Sequence, residues 1–261
     1  MGSETALPIG VFDSGVGGLS ILKALRAELP GEDFVYFADT RHAPYGERGD
    51  GYVTERSRAI FNRLIEEHGA KLMVMACNTA TAAAIHLLRV DYPNLPLVGV
   101  EPALKPAVAR SRTRRIGVLA TRGTLQSAKF CALHDSLKGQ ADFVLQPCDG
   151  LAAAIEADDT EQVDALCARY TRAIGEYGSA PGQVDALVLG CTHYPFAETH
   201  LRAQVGPGVA LIETGEPVAR QTRRLLEAGG LLKAEGQGQV ELLTTGSPAS
   251  LRAAASRWLG L

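Results

Sequence analysis

Leu72-Met73-Val74-Met75-Ala76-Cys77-Asn78-Thr79 is an apolar run that ends in a cysteine and a small polar pair, and Ala186-Leu187-Val188-Leu189-Gly190-Cys191-Thr192-His193 repeats that construction much further along. Each apolar run reads as a buried strand of a parallel sheet, because such strands are covered on both faces and lose the alternation of a half-exposed strand. Each cysteine then stands at the carboxyl end of its strand, where open α/β sheets place their ligands. Two thiols so placed can face one small molecule from opposite sides. That arrangement suits removal of a proton from one face of a carbon and delivery of one to the other.

The rest of the chain follows the same plan. Short apolar runs at 9–12, 34–38, 72–76, 97–100, 116–120, 143–146, 186–189, 209–212 and 240–244 are strand candidates, separated by amphipathic stretches. Leu19, Leu22, Leu25 and Leu29 form one helical stripe, and Val163, Leu166, Cys167, Tyr170 and Ile174 form another. Such alternation predicts an α/β fold of βα units with mostly parallel sheets flanked by helices. The chain also repeats itself. Ile9-Gly10-Val11-Phe12-Asp13-Ser14-Gly15 opens the first half and Ile116-Gly117-Val118-Leu119-Ala120-Thr121-Arg122-Gly123 opens the second. From Ile9 to Cys77 is 68 positions and from Ile116 to Cys191 is 75. Two similar α/β domains are therefore expected, 1–98 with about 210–261 and 99–209, each giving one cysteine to a shared cleft.

Composition narrows the function. The chain has 261 residues, 46% of them hydrophobic, and a net charge of -3, so a large core is available and no basic footprint for nucleic acid is present. The basic cluster Arg110, Arg112, Arg114, Arg115 directly precedes a strand and reads as a solvated loop. The cysteines number five, an odd count, with no CxxC pair, which fits a reducing cytoplasm rather than a disulfide framework. No signal-peptide pattern opens the chain, and no run approaches the roughly 20 apolar residues of a membrane span.

Several residues are candidates for chemistry. Phe12 to Leu19 (FDSGVGGL) runs from a strand into a helix, where free N–H groups favour an anion such as a carboxylate; a purely structural turn is the alternative. Asp13 reads either as a turn or cap residue or as a carboxylate serving Cys77. Tyr45 and Gly46 lie in a Pro/Gly turn and either cover a ligand or pack on the surface. Cys131, Cys148 and Cys167 read as small buried hydrophobes. Asn78, Thr79 and Thr192 offer polar groups to an amino-acid zwitterion. Cys191 and His193 share a side of the chain if it stays extended, so that the imidazole can shuttle a proton or assist a thiolate. No second ligand pair supports zinc. A cysteine hydrolase would leave Cys77 without a role.

Together these motifs resemble the glutamate racemases of the cofactor-independent aspartate/glutamate racemase superfamily. The resemblance is carried by FDSGVGGL at 12–19, PYG at 44–46, ACNTAT at 76–81, EPA at 101–103, GVLATRGT at 117–124, GCTHYP at 190–195 and TTG at 244–246, and it spans nearly the whole chain. It implies two pseudo-twofold-related domains with the active site in the cleft between them, and racemisation of glutamate without a cofactor, supplying D-glutamate for peptidoglycan. It further implies Cys77 and Cys191 as catalytic thiols, Asp13 assisting the first, His193 the second, and Glu156 as a further acidic residue. Ser14, Tyr45, Gly46, Asn78, Thr79, Thr192 and His193 would contact substrate, and Thr121 and Thr124 would add hydroxyls. A homodimer with no nucleic-acid or membrane partner is expected. Because only a few residues precede the first strand, no need for a cell-wall precursor as activator is expected. The segment TRHA at 40–43 is less typical of the family. The rival readings are a racemase of a related acid such as aspartate, a cysteine hydrolase, and a non-catalytic binding protein on this scaffold.

Overall fold

The computed structural model describes residues 4–233 and 236–261. Among these, nine strands form where the apolar runs predict them, with no end moved by more than one residue. They are β1 (Ile9–Asp13), β2 (Phe34–Ala38), β3 (Leu72–Met75), β4 (Leu97–Gly99), β5 (Arg115–Ala120), β6 (Asp142–Pro147), β7 (Ala186–Gly190), β8 (Ala210–Ile212) and β9 (Val240–Thr244). The two apolar stripes are buried, the first on the helix Leu19–Glu28 with Leu29 as its cap residue, the second on the helix Thr160–Ile174.

The strands make two wholly parallel sheets, ordered β4-β3-β1-β2-β9 and β6-β5-β7-β8. The chain divides correspondingly into two units. One runs up to Val100 and resumes at Gly215–Leu261; the other is Glu101–Thr214. β8 pairs with β7, so the second unit keeps the chain through Thr214. The return to the first unit is made by β9, which extends the first sheet beside β2, and by the helix Gly215–Ala228, whose Arg223 binds Glu28.

The two sheets share a connection pattern. The opening strand (β1 or β5) lies between the second strand (β2 or β6) and the cysteine-bearing strand (β3 or β7), with the fourth strand (β4 or β8) outside the latter; β9 is the one addition. The repeated Ile-Gly-Val has a packing reason in both copies. A Cβ on Gly10 would meet the Met73 sulfur at 2.4 Å, and one on Gly117 would meet Leu187 at 2.7 Å. In each sheet the side chain of the facing residue on the cysteine strand occupies the space that the glycine leaves.

The core of the first unit gathers Phe12, Phe37, Phe61, Met73 and Met75 around the first sheet, with Phe12 and Phe61 edge-on at 6.3 Å. Each such side chain contributes about 1.5–3 kcal/mol of burial. Near the amino ends of the strands one ion pair is buried with them. Lys71 Nζ lies 2.6 Å from Glu32, both side chains are almost inaccessible, and each has a further partner, the Thr5 carbonyl for Lys71 and the Lys233 N–H for Glu32. Cys148 and Cys167 are buried as expected, but Cys131 is exposed. On its helix, Ala128–Asp135, Phe130 supplies the buried contact, and Cys131, one residue on, points away from the core.

Candidate functional site

In the first unit, β1 and β3 run side by side with Phe12 opposite Met75, and the Ala76 N–H donates to the Phe12 carbonyl. This register brings Asp13, Ser14 and Cys77 to the same end of the sheet. Asp13 is fully buried. One carboxylate oxygen accepts the Ser14 N–H at 2.8 Å and the other accepts the N–H of Gly18, which precedes the helix Leu19–Glu28. Those donors favour a carboxylate anion at the helix start. Gly18 has no room for a side chain: a Cβ there would meet the Asp13 Cβ at 2.6 Å.

Cys77 is 5% exposed and caps the helix Asn78–Asp91, its Sγ accepting from the Ala80 N–H at 3.4 Å. The Ser14 hydroxyl stands 3.6 Å from the same sulfur. Asn78 is buried with neither side-chain amide atom hydrogen-bonded. An unpaired buried amide costs free energy that a polar ligand would restore. Thr79 follows, partly buried.

The Pro/Gly turn differs from its expected form. Tyr45 is 1% exposed, and its hydroxyl donates to Asp39 at 2.6 Å. Burial, reinforced by the Asp39 carboxylate, pushes the phenol well up, so its proton stays on. The side chain of Tyr45 therefore anchors the turn from below, while Gly46 is partly accessible.

In the second unit, Ala120 of β5 pairs with Gly190 of β7, and Cys191 follows at the end of that strand. The chain does not remain extended from Cys191 to His193. It turns, with the Tyr194 N–H donating back to the Cys191 carbonyl, and His193 takes helical backbone angles. The turn, not extension, sets the Cys191 Sγ 3.7 Å from His193 Nδ1. On the other side of the ring, Nε2 lies 2.6 Å from Glu156, the last residue of the helix Leu151–Glu156. Burial works against the imidazolium, but the hydrogen bonds to Cys191 and Glu156 outweigh it and raise His193 well above its usual 6.5. Sulfur, imidazole and carboxylate thus form one line. Thr192 is buried, and Thr121 caps the next short helix through the Thr124 N–H, with the two hydroxyls 2.9 Å apart.

Sequence reasoning missed two features. Tyr194 is fully buried with an unpaired hydroxyl. Asp39 is the hub of a network that includes Arg56 and Thr245. Arg56 stands alone in a helix pattern and left no signal, whereas Asp39 and Thr245 flank strand ends, the usual place for such residues. Among the described residues, no group of three or more His, Cys, Asp and Glu could hold a metal ion, and no helix is long and apolar enough to cross a membrane.

The chain is similar to known proteins over most of its length. The family model described as Asp/Glu/Hydantoin racemase matches residues 15–222. The chain is 48% identical over 252 residues to a glutamate racemase of Pseudomonas putida, covering 96% of this chain and 93% of the relative. Among solved structures, a glutamate racemase isoform of Bacillus anthracis superposes with a TM-score of 0.85 at 30% identity, covering 98% of this chain and 94% of that one. The Escherichia coli glutamate racemase, in complex with L-glutamate and the activator UDP-MurNAc-ala, superposes with a TM-score of 0.82 at 29% identity, covering 96% and 95%.

Proposed function

The chain belongs to the Asp/Glu/hydantoin racemase family, and from that premise we propose that it interconverts L- and D-glutamate by a two-base proton transfer between Cys77 and Cys191, without a cofactor. The observation that carries this reading is the pairing of each thiol with its own proton-handling group on equivalent strands. Cys77 shares a strand end with Asp13, and Cys191 is backed by His193 and Glu156. A hydrolase needs one thiol and one base, and would leave the other set idle.

In the L-to-D direction Cys191, as thiolate, takes the α-proton: the Cα–H bond breaks and an Sγ–H bond forms. Cys77, as thiol, gives its proton to the opposite face, and its sulfur is left anionic. The D-to-L direction exchanges the roles. Charge growing on the substrate carboxylate is met by fixed N–H groups at helix starts and by side chains such as Asn78, Thr79, Thr192 and Ser14, already oriented before substrate arrives. His193, kept protonated by its bonds to Cys191 and Glu156, donates to the Cys191 sulfur and favours its thiolate, which then takes the substrate proton. The bound L-glutamate of the Escherichia coli relative supports glutamate as substrate.

The same reading makes the product a precursor for peptidoglycan. It puts the enzyme in the cytoplasm, where thiols stay reduced, and makes the working form a homodimer, to be checked by analytical ultracentrifugation.

The test is incubation with L-glutamate in D₂O, following the α-proton by NMR and optical activity by circular dichroism, with L-aspartate in parallel. Loss of both signals with glutamate is expected, and loss only with aspartate would move the substrate assignment. Cys77→Ala and Cys191→Ala should each lower racemisation by at least about 10³-fold, the scale of a lost general acid or base. A double variant racemising at the wild-type rate would sink the mechanism.

A further inference from the structure

We infer that Arg56 is a positioning residue for glutamate binding: with Thr245 it fixes Asp39, and through the Tyr45 hydroxyl Asp39 fixes the turn Pro44–Gly46. The inference rests on the racemisation proposed above and on the expectation, carried by the family resemblance, that Tyr45 and Gly46 of this turn contact the substrate.

The Asp39 carboxylate is inaccessible and receives four donors. One oxygen accepts the Tyr45 hydroxyl at 2.6 Å and Arg56 Nε at 2.9 Å. The other accepts Arg56 Nη2 at 2.9 Å and the Thr245 hydroxyl at 2.9 Å. Two carboxylate oxygens offer about four acceptor sites, so the group is saturated. A saturated carboxylate has no lone pair left to take a proton from a substrate or a thiol. Its work here is mechanical. Burial opposes the charge, yet the Arg56, Tyr45 and Thr245 bonds together hold the carboxyl below its ordinary range, so it stays an anion in this role.

The donors come from three parts of the chain: the turn itself, the helix Asp50–Glu66, and the segment after β9. That last segment is stitched to the loop after β2 at further points. Thr244 and Thr40 share a hydroxyl hydrogen bond at 2.9 Å, and the Arg41 N–H donates to Thr245 at 3.2 Å. The Asp39 N–H, in turn, donates to the Asp13 carbonyl at 3.0 Å. The hub therefore joins the turn to the strand end that carries Asp13. The Tyr45 ring packs 6.2 Å from Phe12 in the same cluster as Cys77. A shift of the Tyr45 hydroxyl would be passed to the backbone of Tyr45 and Gly46, because the buried ring has no other place to go.

Arg56 is suited to this by its planar fork, which fixes both carboxylate oxygens at once; a lysine ammonium cannot. Its side chain is 24% exposed, so a lysine there keeps its charge solvated and the fold intact.

The test compares Arg56→Lys, Tyr45→Phe and the double variant, with Arg58→Lys as control. Arg58 lies on the same helix and forms an exposed pair with Asp91. Two readouts are needed: steady-state racemisation of glutamate, and hydrogen–deuterium exchange of peptides covering 40–48 and 78–91. Arg56→Lys should raise KM about tenfold with kcat changed by less than about threefold, since binding geometry rather than the proton-transfer groups is disturbed. Exchange should rise in 40–48 and not in 78–91. Because both substitutions cut one path, the double variant should be no worse than the poorer single one. Unchanged exchange in 40–48, a loss confined to kcat, or additive effects would overturn the inference. Raised exchange with an unchanged KM would show that the hub holds the turn but that the turn does not meet glutamate, which refutes the reading beneath it.

Discussion

Glu156→Gln keeps the size of the side chain and removes the charge that backs His193. The contact is 2.6 Å, and the two side chains are 8% and 25% exposed for His193 and Glu156. Hydrogen bonds to charged groups contribute about 1.5–3 kcal/mol, and the partial exposure of Glu156 places this one near 2 kcal/mol. At about 1.4 kcal/mol per factor of ten, kcat/KM should fall roughly 30-fold. By symmetry the equilibrium constant of a racemisation is unity, so kcat/KM must fall equally for the two enantiomers. The asymmetry shows instead in α-deuterium isotope effects. The lesion slows the step that uses Cys191, so the effect on kcat/KM should grow when L-[α-²H]glutamate gives its deuteron to Cys191, and shrink for the D enantiomer. The assay is circular dichroism with protiated and deuterated substrates in both directions. Stability adds a check of sign. His193 is more basic in the folded chain than the usual 6.5, so its protonation stabilises the fold fully below that pH and the contribution fades as pH rises through the raised value. The stability gap between wild type and Glu156→Gln should narrow over that rise. A kcat/KM within about threefold of wild type, or isotope effects moving alike in the two directions, would refute the reasoning.

Gly18→Ala should cut kcat/KM by about 100-fold, because its Cβ would sit 2.6 Å from the Cβ of Asp13 and force that carboxylate off its N–H donors; a variant with wild-type kinetics would show that Asp13 need not be held there. Lys71→Met should lose about 3–5 kcal/mol in urea unfolding by leaving Glu32 charged and buried, and pairing it with Glu32→Leu should recover most of the loss. Asp39→Asn should flatten the acid side of the stability profile. The Asp39 carboxyl is held below its usual 3.8, so its contribution is present above that pH and lost as pH falls through the lowered value. Melting temperatures of wild type and variant between about pH 7 and about pH 2 should therefore converge at the acid end.

Much of the fold was legible because parallel strands buried on both faces announce themselves as short apolar runs. Their ends drifted where the last residue pairs without being apolar, as with Asp142 and Pro147 of β6. Cys77, Cys191 and Asp13 were legible because each follows or ends such a run. Glu156 had only weak local signal, since its partner His193 lies 37 residues away and nothing in a helix end announces a long-range contact. Tyr45 stayed open between covering a ligand and packing on the surface because a Pro/Gly turn gives no hint that its aromatic ring is buried with the hydroxyl on Asp39. The Asp39 hub was invisible for a related reason. Its donors sit 6, 17 and 206 residues away, and only the sheet order brings the last of them beside β2.

The shared topology also lets the two similar halves be compared residue by residue, and it bears on the proposed chemistry. Aligning Ile9 with Ile116 sets Asp13 against Ala120 and Ser14 against Thr121. Aligning the cysteines sets Asn78 against Thr192 and Thr79 against His193. The first unit therefore draws its proton-handling group from the opening strand, as a carboxylate held by N–H donors at a helix start. In the second unit the opening strand supplies only a methyl group at that position. Its proton-handling group has moved to the cysteine strand, as an imidazole that needs a carboxylate from a separate helix to stay charged. The sheet fixes where each sulfur stands, and the sign of the charge in its unit is decided at the end of the opening strand in the first, by Asp13, and two places after the cysteine in the second, by His193. In the proposed two-base transfer, a positive group beside Cys191 and a negative group in the unit of Cys77 suit the first sulfur to accept a proton and the second to give one up, which is the starting state of the L-to-D direction; the D-to-L direction starts from the reverse placement of protons.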